Sequence, residues 1–156
     1  MIQIEVTARR ARDADRDRLD QLVAQARAAL VEQRGGRSHL GIDGSGWTLA
    51  DRLSNPQAIV LVGTIDGAVI GYAVVSYRLT EMANAGRIEA IFVEPDAREV
   101  GVGEELLNAA IEWCQSHRCS AMDAVALPGD RHTKNFFETF GMVARAIVVS
   151  RSLPPG

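Results

Sequence analysis

Apolar residues recur in the first part of the chain with the spacing of a helix. Leu19, Leu22, Val23, Ala26 and Leu30 fall on one face, behind Asp13 as a cap and ahead of Gly35 and Gly36 as a stop. Before them, MIQIEVTARR alternates polar and apolar, which predicts a strand. From Ala58 the texture changes: AIVLVGTI and AVIGYAVVSYRL are rich in β-branched residues and are joined by Asp66 and Gly67, a strong hairpin signal. A third run, RIEAIFVEP, closes at Pro95.

Helical spacing returns from Gly103 to about His117, with Leu106, Leu107, Ala110, Ile111 and Cys114 as its apolar stripe. A strand follows at about Cys119 to Leu127, then a helix that Asp130 caps and Gly141 ends, then a final strand in MVARAIVVSRSL. Thr48 to Ser54 gives a short helix before Pro56. A strand, a helix and another strand in succession imply a parallel crossover, whereas the hairpin run is antiparallel. The expected fold is therefore α/β (α+β), with a mixed, mostly antiparallel central sheet and helices on both faces. Residues 1–153 make one domain in this reading, and 154–156 a frayed tail.

Composition narrows the function. A chain of 156 residues with 47% apolar and 24% charged residues suits one globular core. Its net charge of −3 argues against nucleic acid as the main partner. No apolar run approaches the roughly 20 residues of a membrane span, and MIQIEVTARR lacks a leader's apolar core, so the expected location is cytoplasmic. Cys114, His117 and Cys119 give three metal-type ligands without a fourth, so no metal is expected.

The chemistry concentrates in REVGVGEELLN, residues 98–108. Two glycines at a helix start bare backbone N–H groups for an anion. A nucleotide triphosphate loop would need four residues between its glycines and then a lysine, and nothing at this loop supplies that lysine. A dinucleotide fingerprint would use Gly101 and Gly103 with Asp123 downstream, but its third small residue is Leu106 and the motif follows an antiparallel meander. Glu104 and Glu105 sit where carboxylates favour the helix dipole.

Arg98, Gly101 and Gly103 fill the three fixed positions of R/Q-x-x-G-x-G/A, directly after a strand ending V-E-P, and NFFETFGM follows the crossover. In this order of elements the chain resembles the GNAT superfamily of N-acetyltransferases. The resemblance covers nearly the whole chain and is strongest over residues 86–142. It implies that Arg98, Glu99, Val100, Gly101, Val102 and Gly103 hold the pyrophosphate of acetyl-CoA, and that Ile91, Phe92 and Val93 pair with its pantetheine arm along an open strand edge. One of those backbone N–H groups would polarise the thioester carbonyl. Glu99 departs from the glycine or basic residue usual there.

The resemblance also implies acetyl transfer to a primary amine of a small molecule, a peptide N-terminus or a lysine. The amine must lose a proton and the CoA thiolate gain one. Glu89, inside the RIEAIFV strand, is the first candidate base and Asp123 the second; each alternatively sits in a salt bridge, such as one with Arg87. The family's tyrosine acid falls at Phe137, and its asparagine at Asp130. Tyr72, Tyr77 or water could replace the acid, or the protein could bind CoA with little turnover. Lys134 could meet a phosphate or sit exposed on its helix. The acceptor side maps to GGRSHLGIDGSGW and TEMANAG, with His39, Asp43 and Glu81 as contacts. The terminal ARAIVVS could expose an edge for a homodimer.

Overall fold

The computed structural model describes residues 2–33 and 46–156. The first strand, β1 (Val6–Arg10), leads through a one-turn 3-10 helix, Asp13–Asp15, into α1 (Arg16–Glu32). Helix α2 (Leu49–Ser54) starts at Thr48, whose hydroxyl accepts from Asp51 N at 3.1 Å. Strands β2 (Ala58–Ile65), β3 (Ala68–Arg78) and β4 (Asn84–Val93) form the expected meander. Helix α3 (Val102–Ser116), strand β5 (Cys119–Ala124) and helix α4 (Arg131–Thr139) complete the order.

The five strands lie in sequence order, β1-β2-β3-β4-β5. The first three neighbouring pairs are antiparallel and β4–β5 is parallel, so the sheet is mixed and mostly antiparallel. The β2–β3 turn places Asp66 at φ 49° and Gly67 at φ 84°, the double left-handed conformation that a two-residue hairpin favours.

Strand β2 is buried on both faces because each face meets a helix. Val60 and Val62 pack with Tyr72 and Val74 against Leu19, Leu22, Val23 and Ala26 of α1. Ile59 and Leu61 point the other way, against Leu106, Leu107, Ala110 and Trp113 of α3. The two-residue period of a strand thus divides the interior into two apolar compartments.

Three expectations change. Asp15, not Asp13, anchors the entry to α1: its carboxylate accepts from Arg12 N at 2.7 Å and binds the Arg9 guanidinium at 2.7 and 3.0 Å. Strand β5 stops at Ala124, short of Leu127. The terminal strand is not formed: residues 142–156 pair with no strand, and Val143, Ile147, Val148 and Val149 are 79–89% exposed. A β-branched run favours extended backbone but does not supply a partner strand. Gly141 does end α4, at φ 85°, with Met142 N donating to Phe137 O at 3.0 Å. The proposed stop at Gly35 and Gly36 lies outside the described residues.

Candidate active site

The parallel pairing of β4 with β5 ends at Ile88 and Ala124, yet β4 runs on to Val93. Residues 89–93 therefore keep one edge free of β5. Glu94 N donates to Ile70 O at 3.0 Å toward β3, so alternation turns the N–H groups of Ile91 and Val93 to the free edge. Arg98 folds back onto this edge: its Nε donates to Val93 O at 3.1 Å, and its guanidinium lies 5.9 Å from the Phe92 ring centre.

A cleft of about 620 Å³ opens along this gap. Arg98, Glu99, Gly101, Gly103 and Glu104 line it, together with Gln25 and Arg27 of α1, Gln33, Trp47, Tyr72 and Glu89. Phe136, Phe137 and Phe140 form an apolar wall on the α4 side. Val100 is exposed, and Val102 is buried in the core beneath the loop.

The loop's backbone explains its glycines. Gly101 caps α3 at φ 102°, with open space around the position a Cβ would take, so its conformation and not crowding favours glycine. At Gly103 the reason is space, because a Cβ would come within 3.2 Å of the Phe136 ring. Glu99 is also left-handed, at φ 68°, an unfavourable conformation for a residue with a Cβ. The bare N–H groups of the first α3 turn face a cleft large enough for an extended ligand, which fits a bound pyrophosphate.

Glu89 is the extra residue of a β-bulge. The register passes from Ala90↔Val74 to Ile88↔Val75, leaving Glu89 without an opposing residue. Its carboxylate meets Arg52 of α2: Nη2 donates to Oε1 at 2.9 Å, and Nε approaches Oε2 at 2.5 Å. The second contact is not aligned as a hydrogen bond, so Nε and Oε2 are buried polar atoms without one among the described residues. The partner is thus Arg52, 37 positions away, and not the exposed Arg87.

Asp123 does not line the cleft. Its carboxylate accepts from Arg145 Nε at 3.1 Å and Nη2 at 2.5 Å, an interaction that raises the arginine pKa above its ordinary value. The two candidate carboxylates are therefore in separate ion pairs. Tyr72 is buried in the cleft floor beside Phe92, and burial pushes its phenol pKa up while the Arg27 charge opposes the shift. Tyr77 lies elsewhere, stacked with Trp113 and His117 at 5.6 and 5.1 Å.

Phe137 reaches the cleft and the α3 core at once, with 7% exposure. Asp130 caps α4: its carboxylate accepts from Thr133 N at 3.0 Å and from the Thr133 hydroxyl at 2.6 Å. Lys134 pairs with Glu138 at 3.5 Å. Glu81 is exposed, whereas His39 and Asp43 lie outside the described residues. Among the described residues no cluster of His, Cys, Asp and Glu suits a metal ion, and no helix is long and apolar enough to cross a membrane.

Arg27 and Arg52 were not singled out by sequence reading, and Trp47 entered it only as the end of the GGRSHLGIDGSGW segment. Arg27 donates to Trp47 O and lies 4.7 Å from its ring centre, joining α1 to the start of α2 at the cleft mouth. The polar face of α1 offered a weak signal for Arg27, while pairing of Arg52 with Glu89 required the fold.

The sequence profile described as the acetyltransferase (GNAT) family matches residues 20–142. The chain belongs to that family. Aminoglycoside N(6')-acetyltransferase type 1 of Klebsiella aerogenes is 32% identical over 76 residues, which are 46% of this chain and 50% of that relative. The match thus spans half of that relative's length.

Two solved structures share the fold. AAC(6')-Iy, in complex with the bisubstrate analogue CoA-S-monomethyl-acetylneamine, superposes with a TM-score of 0.71 at 20% identity over 96% of this chain and 99% of its own. Ribosomal-protein-alanine N-acetyltransferase of Brucella melitensis biovar Abortus 2308 gives 0.71 at 17% identity, over 95% of this chain and 99% of its own.

Proposed function

We propose that the protein is an N-acetyltransferase that moves an acetyl group from acetyl-CoA to a primary amine by direct attack. The observation that carries this reading is the continuous cleft from the Gly101 loop, along the free edge of residues 89–93, to Glu89. The loop N–H groups would receive the pyrophosphate, and the β4 edge would pair with the pantetheine amides. A free backbone N–H of Ile91 or Val93 would stabilise the carbonyl oxygen as it gains charge. The C–N bond forms as the C–S bond breaks, and CoA leaves as a thiolate.

In this mechanism Glu89 accepts the amine proton, directly or through one water. Glu89 lines the cleft, which supports that role, and Arg52 holds the carboxylate in place. Tyr72 or water protonates the thiolate, because Phe137 has no exchangeable proton. The relative named for aminoglycoside and the solved structure of like fold named for ribosomal-protein alanine support an amine acceptor and leave its class open.

We infer further that residues 1–153 act as one catalytic domain in the cytoplasm, a location compatible with the free thiols Cys114 and Cys119. The exposed Ile147, Val148 and Val149 support homodimer formation through the terminal segment.

The test is release of free thiol from acetyl-CoA in the presence of a panel of small amines, peptides and lysine-bearing proteins. Acceptor-dependent release upholds the assignment. Tight CoA binding without release on any acceptor would instead identify a CoA-binding module, the reading favoured by Phe137.

A further inference from the structure

A second cavity, of about 400 Å³, lies apart from the cleft and is lined by Arg10, Arg12, Arg16 and Arg52, with Asp13 as its one acidic residue. Its apolar floor includes Ala58, Ile59 and Val60 of β2. Four arginines against one aspartate reverse the sign of the whole chain, whose net charge is −3. Arg16 leans on Asp20 at 3.3 Å in an exposed contact, and Arg52 is held by Glu89. Arg10 and Arg12 have no carboxylate partner among the described residues.

We propose that this cavity binds a small phosphate-bearing anion. Guanidinium groups donate paired, charge-assisted N–H bonds to phosphate oxygens. An anion suits the site because Arg16 and Arg52 already have carboxylate partners and Asp13 offsets only part of the charge that Arg10 and Arg12 supply. Arg52 links the two cavities: it borders the second while its guanidinium grips Glu89 in the first. An anion that draws Arg52 toward itself weakens its hold on Glu89 and leaves that carboxylate freer to take a proton. This coupling, unlike the binding itself, rests on the acetyltransferase reading.

Isothermal titration of pyrophosphate into protein held at saturating CoA tests the site with the pyrophosphate loop already filled. Saturable binding is expected, weakened at least tenfold in the double variant Arg10→Gln/Arg12→Gln, with CoA affinity unchanged. Both side chains are exposed, so the variant retains its fold. A parallel titration with ADP distinguishes a nucleotide source from inorganic pyrophosphate. Failure of both ligands to bind the CoA-loaded protein, or equal binding to the double variant, overturns the site. In thiol-release assays, pyrophosphate is expected to change turnover of the wild type and not of the double variant. Saturable binding with no change in rate overturns the link through Arg52, and absence of basal turnover bears on the enzyme assignment alone.

Discussion

Arg52 of α2 and Glu89 of β4 form an ion pair where Glu89 lines the cleft, with side-chain exposures of 21% and 13%. Their union fixes a carboxylate that the bulge in β4 already directs away from the strand ladder. Glu89→Gln keeps the shape and loses the proposed base. It is expected to lower kcat on the order of 10²–10⁴-fold with little change in CoA affinity, measured by steady-state thiol release and calorimetry. A kcat within twofold of wild type would remove Glu89 from the mechanism.

Arg52→Gln leaves the same carboxylate largely buried without its cation. Loss of about 1–3 kcal/mol of stability is expected in urea denaturation. Pairing the change with Glu89→Gln should recover much of the loss, since no unpaired charge then remains. Equal destabilisation in the single and double variants would show that packing, not charge, sets the effect.

Glu99 holds a left-handed φ of 68° at the mouth of the proposed pyrophosphate site. Glycine tolerates that conformation, and the substitution also removes a negative charge facing an anion. Glu99→Gly is expected to relieve about 1 kcal/mol of backbone strain and to tighten CoA binding severalfold. Calorimetry decides, and weaker CoA binding would contradict the loop's assigned role.

Phe137→Tyr adds a hydroxyl at a cleft-lining position in place of the missing acid. An increase in kcat of about tenfold is expected if thiolate protonation limits the rate. An unchanged rate, with the variant folded by circular dichroism, would assign that proton to Tyr72 or water.

The Arg9–Asp15 pair gives a pH dependence with a defined sign. The hydrogen bond from Arg9 lowers the Asp15 pKa; burial opposes this, and Arg12 N and the charges of both arginines assist it. A depressed folded-state pKa gives stability that is present above the unfolded value and lost as pH falls through the folded value. Asp15→Asn is expected to cost about 2 kcal/mol at pH 7. The difference from wild type should shrink in urea denaturation as the pH is lowered below the normal aspartate range. A difference that stays constant with pH would exclude the carboxylate charge as its source.

Local signals were readable from the chain, and distant pairings were not. Asp66 and Gly67 announced their hairpin because both conformations are set within the turn. Gly101 and Gly103 marked the loop for the same reason, one through φ and the other through its approach to Phe136. The terminal AIVVS run misled because extended propensity does not specify a neighbour. Glu89 could be chosen as a carboxylate in an apolar strand, but Arg52 is 37 residues away and the bulge depends on pairing with β3.

That bulge has a further consequence. Ile88 packs toward α3, Ala90 and Phe92 toward α1, and Ile91 and Val93 again toward α3. Two residues apart, Ile88 and Ala90 should share a face, and only the insertion at Glu89 separates them. Excising that residue would therefore restore an unbroken ladder with every apolar neighbour on the side it already occupies. The sheet has no architectural use for position 89. If Glu89 is the proposed base, stability and turnover pull in opposite directions there, and a shortened chain, with Arg52→Leu to remove the orphaned cation, should be a sturdier fold without acetyl transfer.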